Sequence, residues 1–379
     1  MPFHRSDLAW RSWLLMGIGL LLLGCDRSEN TIVLHKPKPK AKADITVRKE
    51  VRTVAFGSCA HAEVEMPVLD VAIGLKPDVF IWLGDNIYGD TYDMEVLAAR
   101  YALLDSNMYF QRMRNFTRNL AVWDDHDYGW NDVGRHYPQK EASKSLFVNF
   151  WKDPADAPRR ERPGIYTSYL FDGGRQDVHV ILLDNRTFRD NLKPAGEVLI
   201  QANSNVTYKA DYIPYAQRSD STLLGQAQWA WLEKQLEVEA DYRIIATSTQ
   251  FGIEWNGYES WANFPNERDR MCKIISDSNA KRKTMGKPEI PTVFISGDVH
   301  YAEISGYPVS SVDTLFDVTS SGITSRWDFA TPNAFRTDGP IMENNIGVLK
   351  LGRPGKADIV AEIWDASGAK RIEKDLLQN

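Results

Sequence analysis

Residues 120–132 read Leu120-Ala-Val-Trp-Asp124-Asp125-His126-Asp127-Tyr-Gly-Trp-Asn131-Asp132. An apolar, strand-like stretch runs straight into three carboxylates and a histidine. A buried strand has no use for that charge, because each unpaired carboxylate taken out of water costs several kcal/mol. Something cationic must compensate it, and a metal cluster is the natural candidate. The same pattern recurs in Asp78-Val-Phe-Ile-Trp-Leu-Gly-Asp85-Asn-Ile-Tyr88 and in Thr292-Val-Phe-Ile-Ser-Gly-Asp298-Val-His300. Three strands ending in ligand-type side chains predict one site at the carboxyl edge of a sheet, where open α/β sheets place their ligands.

Outward from these stretches, apolar periodicity predicts strands over Val51–Phe56, Asn119–Trp123, Ile165–Phe171, Val178–Leu183, Arg243–Thr247 and Thr292–Ser296. Two late strands follow, over Gly347–Leu351 and Asp358–Ile363. Helical patterns cover Val64–Leu75, Asp93–Asn107, Glu141–Trp151 and Leu224–Glu237, and residues 190–220 read as a polar, irregular rim or lid. The alternation predicts an α/β fold, a four-layer α/β/β/α sandwich, over residues 51–379. The chain has 379 residues, 43% of them hydrophobic, enough for a sizeable core. Its net charge of −6 gives no electrostatic reason to expect a nucleic-acid surface.

The first 25 residues read as a processed leader. Arg5 and Arg11 form a positive n-region, Trp13–Leu23 an apolar h-region, and Leu22-Leu23-Gly24-Cys25 a processing site. That tetrapeptide resembles a bacterial lipobox, which makes Cys25 a lipidated mature N-terminus and predicts a cell-envelope location. Lys36-Pro-Lys-Pro-Lys-Ala-Lys-Ala43 cannot build a core, so residues 26–50 read as a tether. Cys59 and Cys272 remain. They are a candidate disulfide in an oxidising compartment, but Cys59 follows a strand in Phe56-Gly-Ser-Cys59, where a thiolate beside carboxylates suits a transition metal. Cys272 then reads as a buried small residue.

Five blocks together resemble the alkaline phosphatase D family of calcineurin-like metallophosphoesterases. They are Phe56-Gly-Ser-Cys59, Gly84-Asp85-Asn-Ile-Tyr88, Trp123–Asp132, Leu224-Gly-Gln-Ala-Gln-Trp-Ala-Trp-Leu232 and Ser296-Gly-Asp-Val-His-Tyr-Ala-Glu303. The resemblance implies a phosphate mono- or diesterase. It implies ferric iron at Cys59 and Tyr88, with Asp85 bridging to calcium, and metal ligation by Asp125, Asp298 and His300. It gives His126 a contact with the phosphoryl group. Hard carboxylates suit calcium, and phenolate and thiolate suit Fe(III). The usual Asp-x-His of the wider fold is replaced by Gly-Ser-Cys59. Arg186, in Asp184-Asn-Arg186, reads as a phosphate grip or as half of a pair with Asp184. Asp124 and Asp127 read as helix cap or as partners of His126, and Asn131 and Asp132 as calcium ligands or turn formers. Trp255 and Trp261 read as an aromatic rim for the leaving group or as core.

Overall fold

The computed structural model describes residues 41–310, 313–352 and 358–377. Two mixed sheets carry the fold. In the six-stranded sheet, Thr53–Gly57, Val79–Leu83 and Arg118–Val122 run parallel and adjacent. Antiparallel strands Asn345–Leu351, Ile359–Asp365 and Lys370–Asp375 extend it on the Thr53–Gly57 side. In the eight-stranded sheet, Asp177–Leu182, Tyr242–Ala246, Thr292–Ser296 and Thr314–Ser320 form the parallel centre. Ala302–Pro308 and Arg336–Ile341 lie beyond Thr314–Ser320, and Thr167–Asp172 and Ile45–Val47 lie beyond Asp177–Leu182.

The central strands are mostly apolar because both faces are covered, with His179, Arg243 and Asp317 as buried exceptions. Side chains alternate across a strand, so Val180 and Leu182 join the core shared with the facing sheet, together with Ile244, Ala246, Val293 and Ile295. Ile181, Leu183, Ile245 and Phe294 point the other way, into a second core. That core is closed by the helices Gly225–Gln235, through Trp229 and Leu232, and Pro265–Thr284, through Met271 and Ile275. On the six-stranded side, Trp82 packs at 5.2 Å on Phe110 of the helix Met108–Phe116 and at 5.9 Å on Trp151, just after the helix Lys140–Phe150. Helix, sheet, sheet and helix make the expected four layers.

Some expectations shift. The tether expected through residue 50 ends earlier, since Ile45–Val47 pairs in parallel register with Tyr169–Phe171. Asp44 is tied down as well: its amide donates to Ser168 Oγ at 2.9 Å, and its carboxylate accepts from Arg162 at 2.9 Å. The leader, Cys25 and the first part of the tether lie outside the described residues. Residues 190–220 hold two short ribbons, Lys193–Pro194 with Tyr212–Ile213 and Leu199–Gln201 with Thr207–Lys209. Cys59 and Cys272 are both free and buried, so the disulfide alternative falls. No helix among the described residues is long and apolar enough to cross a membrane.

Candidate metal centre

Both sheets present the carboxyl ends of their parallel strands to one place. Cys59 follows Thr53–Gly57, Asp85 follows Val79–Leu83, and Asp124 and Asp125 follow Arg118–Val122. From the facing sheet, Arg186 comes after Asp177–Leu182, Ser248 after Tyr242–Ala246, and Asp298 and His300 after Thr292–Ser296. Gly-Asp at two of these ends has a steric reason. A Cβ at Gly84, whose φ is +101°, would sit 2.5 Å from Asp124 Cβ, and one at Gly297 would sit 2.4 Å from Ser58 Oγ. Only glycine lets the neighbouring chain ends come that close.

The backbone is strained here. Among the described residues eight non-glycine positions have positive φ, and six of them lie in this region: Cys59, Asp85, Asp90, Asp132, Asp298 and His300. Left-handed backbone costs such residues on the order of 1–3 kcal/mol each and concentrates at functional sites.

The side chains form three overlapping groups in which potential ligand atoms all lie within 4.8 Å of one another: Cys59, Asp85 and His300; Asp85, Asp125 and His126; and Asp85, Asp124, Asp125 and Asp298. Asp85 belongs to all three, the place for a bridging carboxylate. Its Oδ2 lies 3.5 Å from Cys59 Sγ, while its Oδ1 is buried with no hydrogen-bond partner, as is Asp124 Oδ2. Tyr88 adds a phenol at this corner, its hydroxyl 3.4 Å from His300 Nε2 and 3.2 Å from Ser325 Oγ.

Electrostatics mark the cluster as incomplete by itself. Burial first, then the charge of Asp125, raises the Asp85 carboxyl well above the carboxylate range; burial and Asp124 do the same to Asp298. Burial pushes the Cys59 thiol up to about 12. It brings the His300 imidazole down to about 4, which leaves the ring neutral as a ligand must be. A buried cation would reverse the first three shifts. The hard carboxylates, one thiol, one phenol and one neutral imidazole, with two orphaned oxygens aimed among them, fit a metal cluster.

The remaining candidates sort by their partners. Asp90, not Asp124 or Asp127, holds His126: its Oδ1 lies 2.7 Å from Nδ1, and despite burial this bond raises the imidazole to about 9. Asp127 is structural, accepting the Asp124 amide at 2.5 Å and the Asn86 amide at 3.1 Å. Asp132 holds the loop: its amide donates to Asp125 Oδ2 at 2.7 Å, and its carboxylate accepts from Tyr212 at 2.7 Å. Asn131 is exposed, and Asp132 enters no ligand group among the described residues.

Arg186 needs a correction. The guanidinium is fully buried. It donates through Nε to Asp124 at 2.5 Å and through Nη1 to Glu259 at 2.7 Å, with Nη2 3.5 Å from Asp125. With its donors committed to carboxylates it is a counter-ion behind the cluster, not an open phosphate grip. Arg186 does pair with Asp184, but through its backbone: the Asp184 carboxylate accepts the Arg186 amide at 3.0 Å, beside Trp123 Nε1 at 2.9 Å and the Ile165 amide at 2.8 Å. Trp261 is core, bonded to Thr247, and Trp255 donates to the Tyr212 carbonyl. Sequence reasoning missed Asp90, Arg189, Glu259, Ser248 and Ser321. Ser321 Oγ lies 3.1 Å from Cys59 Sγ and accepts the His300 amide at 2.8 Å. The strand Thr314–Ser320 running into Ser320-Ser321-Gly322 was the available signal, one more strand end at the same edge.

Comparison with solved structures shows similarity to the structure of PhoD, with a TM-score of 0.62 at 17% identity over 88% of this chain and 73% of that one. It also shows similarity to GAP50, described as the anchor in the inner membrane complex of Plasmodium, with a TM-score of 0.52 at 13% identity over 86% of this chain and 89% of that one. No curated protein sequence matches. At these identities the structural likeness speaks for the fold alone, but the sequence profile of the PhoD-like phosphatases matches residues 54–340, the whole span of the strand ends described above. The chain therefore belongs to the PhoD-like phosphatases and is a phosphoric ester hydrolase.

Proposed function

We propose that this phosphoesterase is metal-dependent, and that it works outside the cytoplasm, held at a membrane of the cell envelope by a lipidated Cys25. The observation that carries metal dependence is Asp85, shared by three ligand groups and left with an orphaned buried oxygen. Cys59, Tyr88, Asp85 and His300 would hold one ion, iron by donor chemistry, and Asp85, Asp124, Asp125 and Asp298 would hold harder ions such as calcium. When bound, such ions supply Lewis acidity, withdrawing charge from phosphoryl oxygens and acidifying water.

The chain's own residues supply the rest. Arg186 and Glu259 fix Asp124 and Asp125 so that the carboxylates are already placed. His126, anchored through Nδ1 to Asp90, would carry a proton on Nε2 to the departing ester oxygen. Dialysis against a strong chelator should abolish hydrolysis of both aryl mono- and diester substrates, and iron with calcium should restore it. Elemental analysis of the purified protein should find both. Full turnover by metal-free protein would overturn this reading. A visible phenolate-to-iron absorption band that vanishes in Tyr88→Phe would tie iron to that corner.

The anchoring half rests on the leader sequence, Arg5 and Arg11 before Trp13–Leu23 and the Leu-Leu-Gly-Cys25 tetrapeptide. Several acyl chains, each methylene worth about 0.8 kcal/mol, suffice for stable attachment. Radiolabelled fatty acid should enter the wild type and not Cys25→Ser; absence of label in the wild type would remove the anchor and leave the hydrolase.

A further inference from the structure

Beside the metal centre stand four aromatic rings that the hydrolysis itself does not use. Trp327 and Phe329 lie stacked, 5.5 Å apart and 13° from parallel. Tyr208 and Tyr258 form a second stack, 5.1 Å apart at 6°. The stacks meet at both ends, Tyr258 with Trp327 at 5.1 Å and Tyr208 with Phe329 at 5.3 Å. All four rings are only half-buried. Rings that served only the core would be covered, as Trp261 and Phe251 are.

The group is joined to the reacting centre from two sides. Trp327 lies 5.4 Å from the His300 ring, and its amide donates to the His300 carbonyl at 3.1 Å. Tyr258 is followed directly by Glu259, which holds Arg186 at 2.7 Å and so reaches Asp124. Tyr208 arrives on the ribbon Leu199–Gln201 with Thr207–Lys209. That ribbon is seated on the 254–258 loop at Gly257, whose φ is +94° and where a Cβ would stand 2.5 Å from Ile200 Cδ1. The carbonyl of Gly257 accepts the amides of Asp211 and Tyr212, both at 2.9 Å. All four rings are therefore placed by the fold: Tyr258 by the loop that carries Glu259, Trp327 and Phe329 by the loop after Thr314–Ser320, and Tyr208 by the insertion over residues 190–220.

We infer that Tyr208, Tyr258, Trp327 and Phe329 form a subsite for a planar, π-faced substituent of the ester, an aryl or heteroaromatic ring such as a nucleobase. This rests on hydrolysis taking place at the strand-end cluster. A flat ring leaving the phosphorus next to His300 meets aromatic faces that stack on any planar group irrespective of its hydrogen-bonding edge. A small alkyl substituent has no face to offer and gains nothing there.

The test uses Tyr208→Leu and Phe329→Leu, which keep apolar bulk and lie away from every ligand, with Tyr208→Phe as the rescue. On metal-loaded protein, kcat/KM is measured for phenyl phosphate and methyl phosphate, and binding of phenylphosphonate and methylphosphonate by tryptophan fluorescence. The subsite requires each leucine variant to lose about 10-fold on the phenyl ester, mainly in KM, and less than 2-fold on the methyl ester, with Tyr208→Phe near wild type. Equal losses on both esters, or no loss on either, overturn it. If the wild type prefers phenylphosphonate over methylphosphonate but hydrolyses neither the two monoesters nor diphenyl phosphate, the subsite stands and hydrolysis at this cluster falls. If it hydrolyses both monoesters and the variants leave the phenyl-to-methyl ratio unchanged, hydrolysis stands and the subsite falls.

Discussion

Asp317 and Glu303 are buried as completely as Asp85 and Asp124, yet the two acid networks are built on opposite principles. Asp317 Oδ2 accepts the amides of Phe251 at 2.7 Å and Gly252 at 2.8 Å, and its Oδ1 accepts from Ser296 at 2.7 Å. Glu303 accepts from Gln250 at 3.0 Å and Asn333 at 2.7 Å, and pairs with Arg336. Every carboxylate oxygen there has a donor from the protein. In the strand-end cluster Arg186 pairs with Asp124, Asp125 and Glu259, and Arg189 with Glu259, while Asp85 Oδ1 and Asp124 Oδ2 have no donor at all. A polar network that satisfies itself strengthens a fold, while one that does not must be completed from outside. Burial alone does not separate structure from function here; the donor count does.

The largest expected effect separates the two networks directly. Asp85→Asn should lower ester hydrolysis by roughly 10³-fold or more, because it removes the one carboxylate shared by all ligand groups. The same change should raise the melting temperature of the metal-free protein, since a carboxyl that ionises freely only in the unfolded chain is gone. Asp317→Ala should do the reverse, keeping the chemistry while costing about 1–3 kcal/mol, because the Phe251 and Gly252 amides and the Ser296 hydroxyl lose their acceptor. Calorimetry on metal-free protein beside activity of the loaded enzyme reads both. Two variants with melting shifts of the same sign would erase the distinction.

Next in size is His126→Ala, expected to lose about 10²–10⁴-fold in turnover on esters with poor leaving groups, with metal content nearly kept. Asp90→Asn sharpens this. The Asp90 bond holds the imidazole up to about 9, so a proton-donating His126 works below that pH and fails above it. The alkaline limb of kcat should therefore move to lower pH in Asp90→Asn; an unmoved limb would assign the proton elsewhere. Arg186→Met should weaken metal binding by about 10–100-fold, as loss of a positioning partner does, with the KM for substrate little changed. A KM effect alone would return Arg186 to gripping phosphate.

The two networks also differ in how far the sequence revealed them. Val79–Leu83 and Thr292–Ser296 were legible to the residue, because strands covered on both faces are unbroken apolar runs, and their Gly-Asp ends announced a site. The strands Ala302–Pro308 and Arg336–Ile341 were not, since Gly, Ser and Pro interrupt their alternation. Nor was the helix Pro265–Thr284, which buries little beyond Met271, Cys272 and Ile275 among many charges. Within the site, ligand types were readable because they cluster in the chain. Glu259, Arg189 and Asp90 were hidden because they act by meeting residues 36 to 73 positions away. Arg186 was misplaced for the same reason: the sequence shows the guanidinium but not the three carboxylates that surround it.

The smallest effect concerns a third buried group whose sign opposes the acid cluster. His179, in the strand Asp177–Leu182, is fully buried, and burial first, then Arg243, brings its pKa down to about 3 against a small opposing pull from Gln235. A histidine whose folded pKa lies below its unfolded value of 6.5 stays neutral in the fold while the unfolded chain takes up a proton. Stability is therefore complete above pH 6.5 and falls by about 1.4 kcal/mol per pH unit below it, until about pH 3. Asp85 and Asp298, with raised pKa values, act the other way in metal-free protein, which gains stability as acid neutralises them. The two contributions overlap in any single pH titration, so the difference between two proteins is the useful measurement. His179→Leu puts an apolar side chain beside the core that holds Ile181 and Leu183. Near pH 7.5 it should unfold within about 1 kcal/mol of wild type, and at pH 5 it should be more stable than wild type by about 2 kcal/mol. A constant difference between the two across that range would mean that His179 is protonated with the rest of the chain and that its burial carries no pH cost.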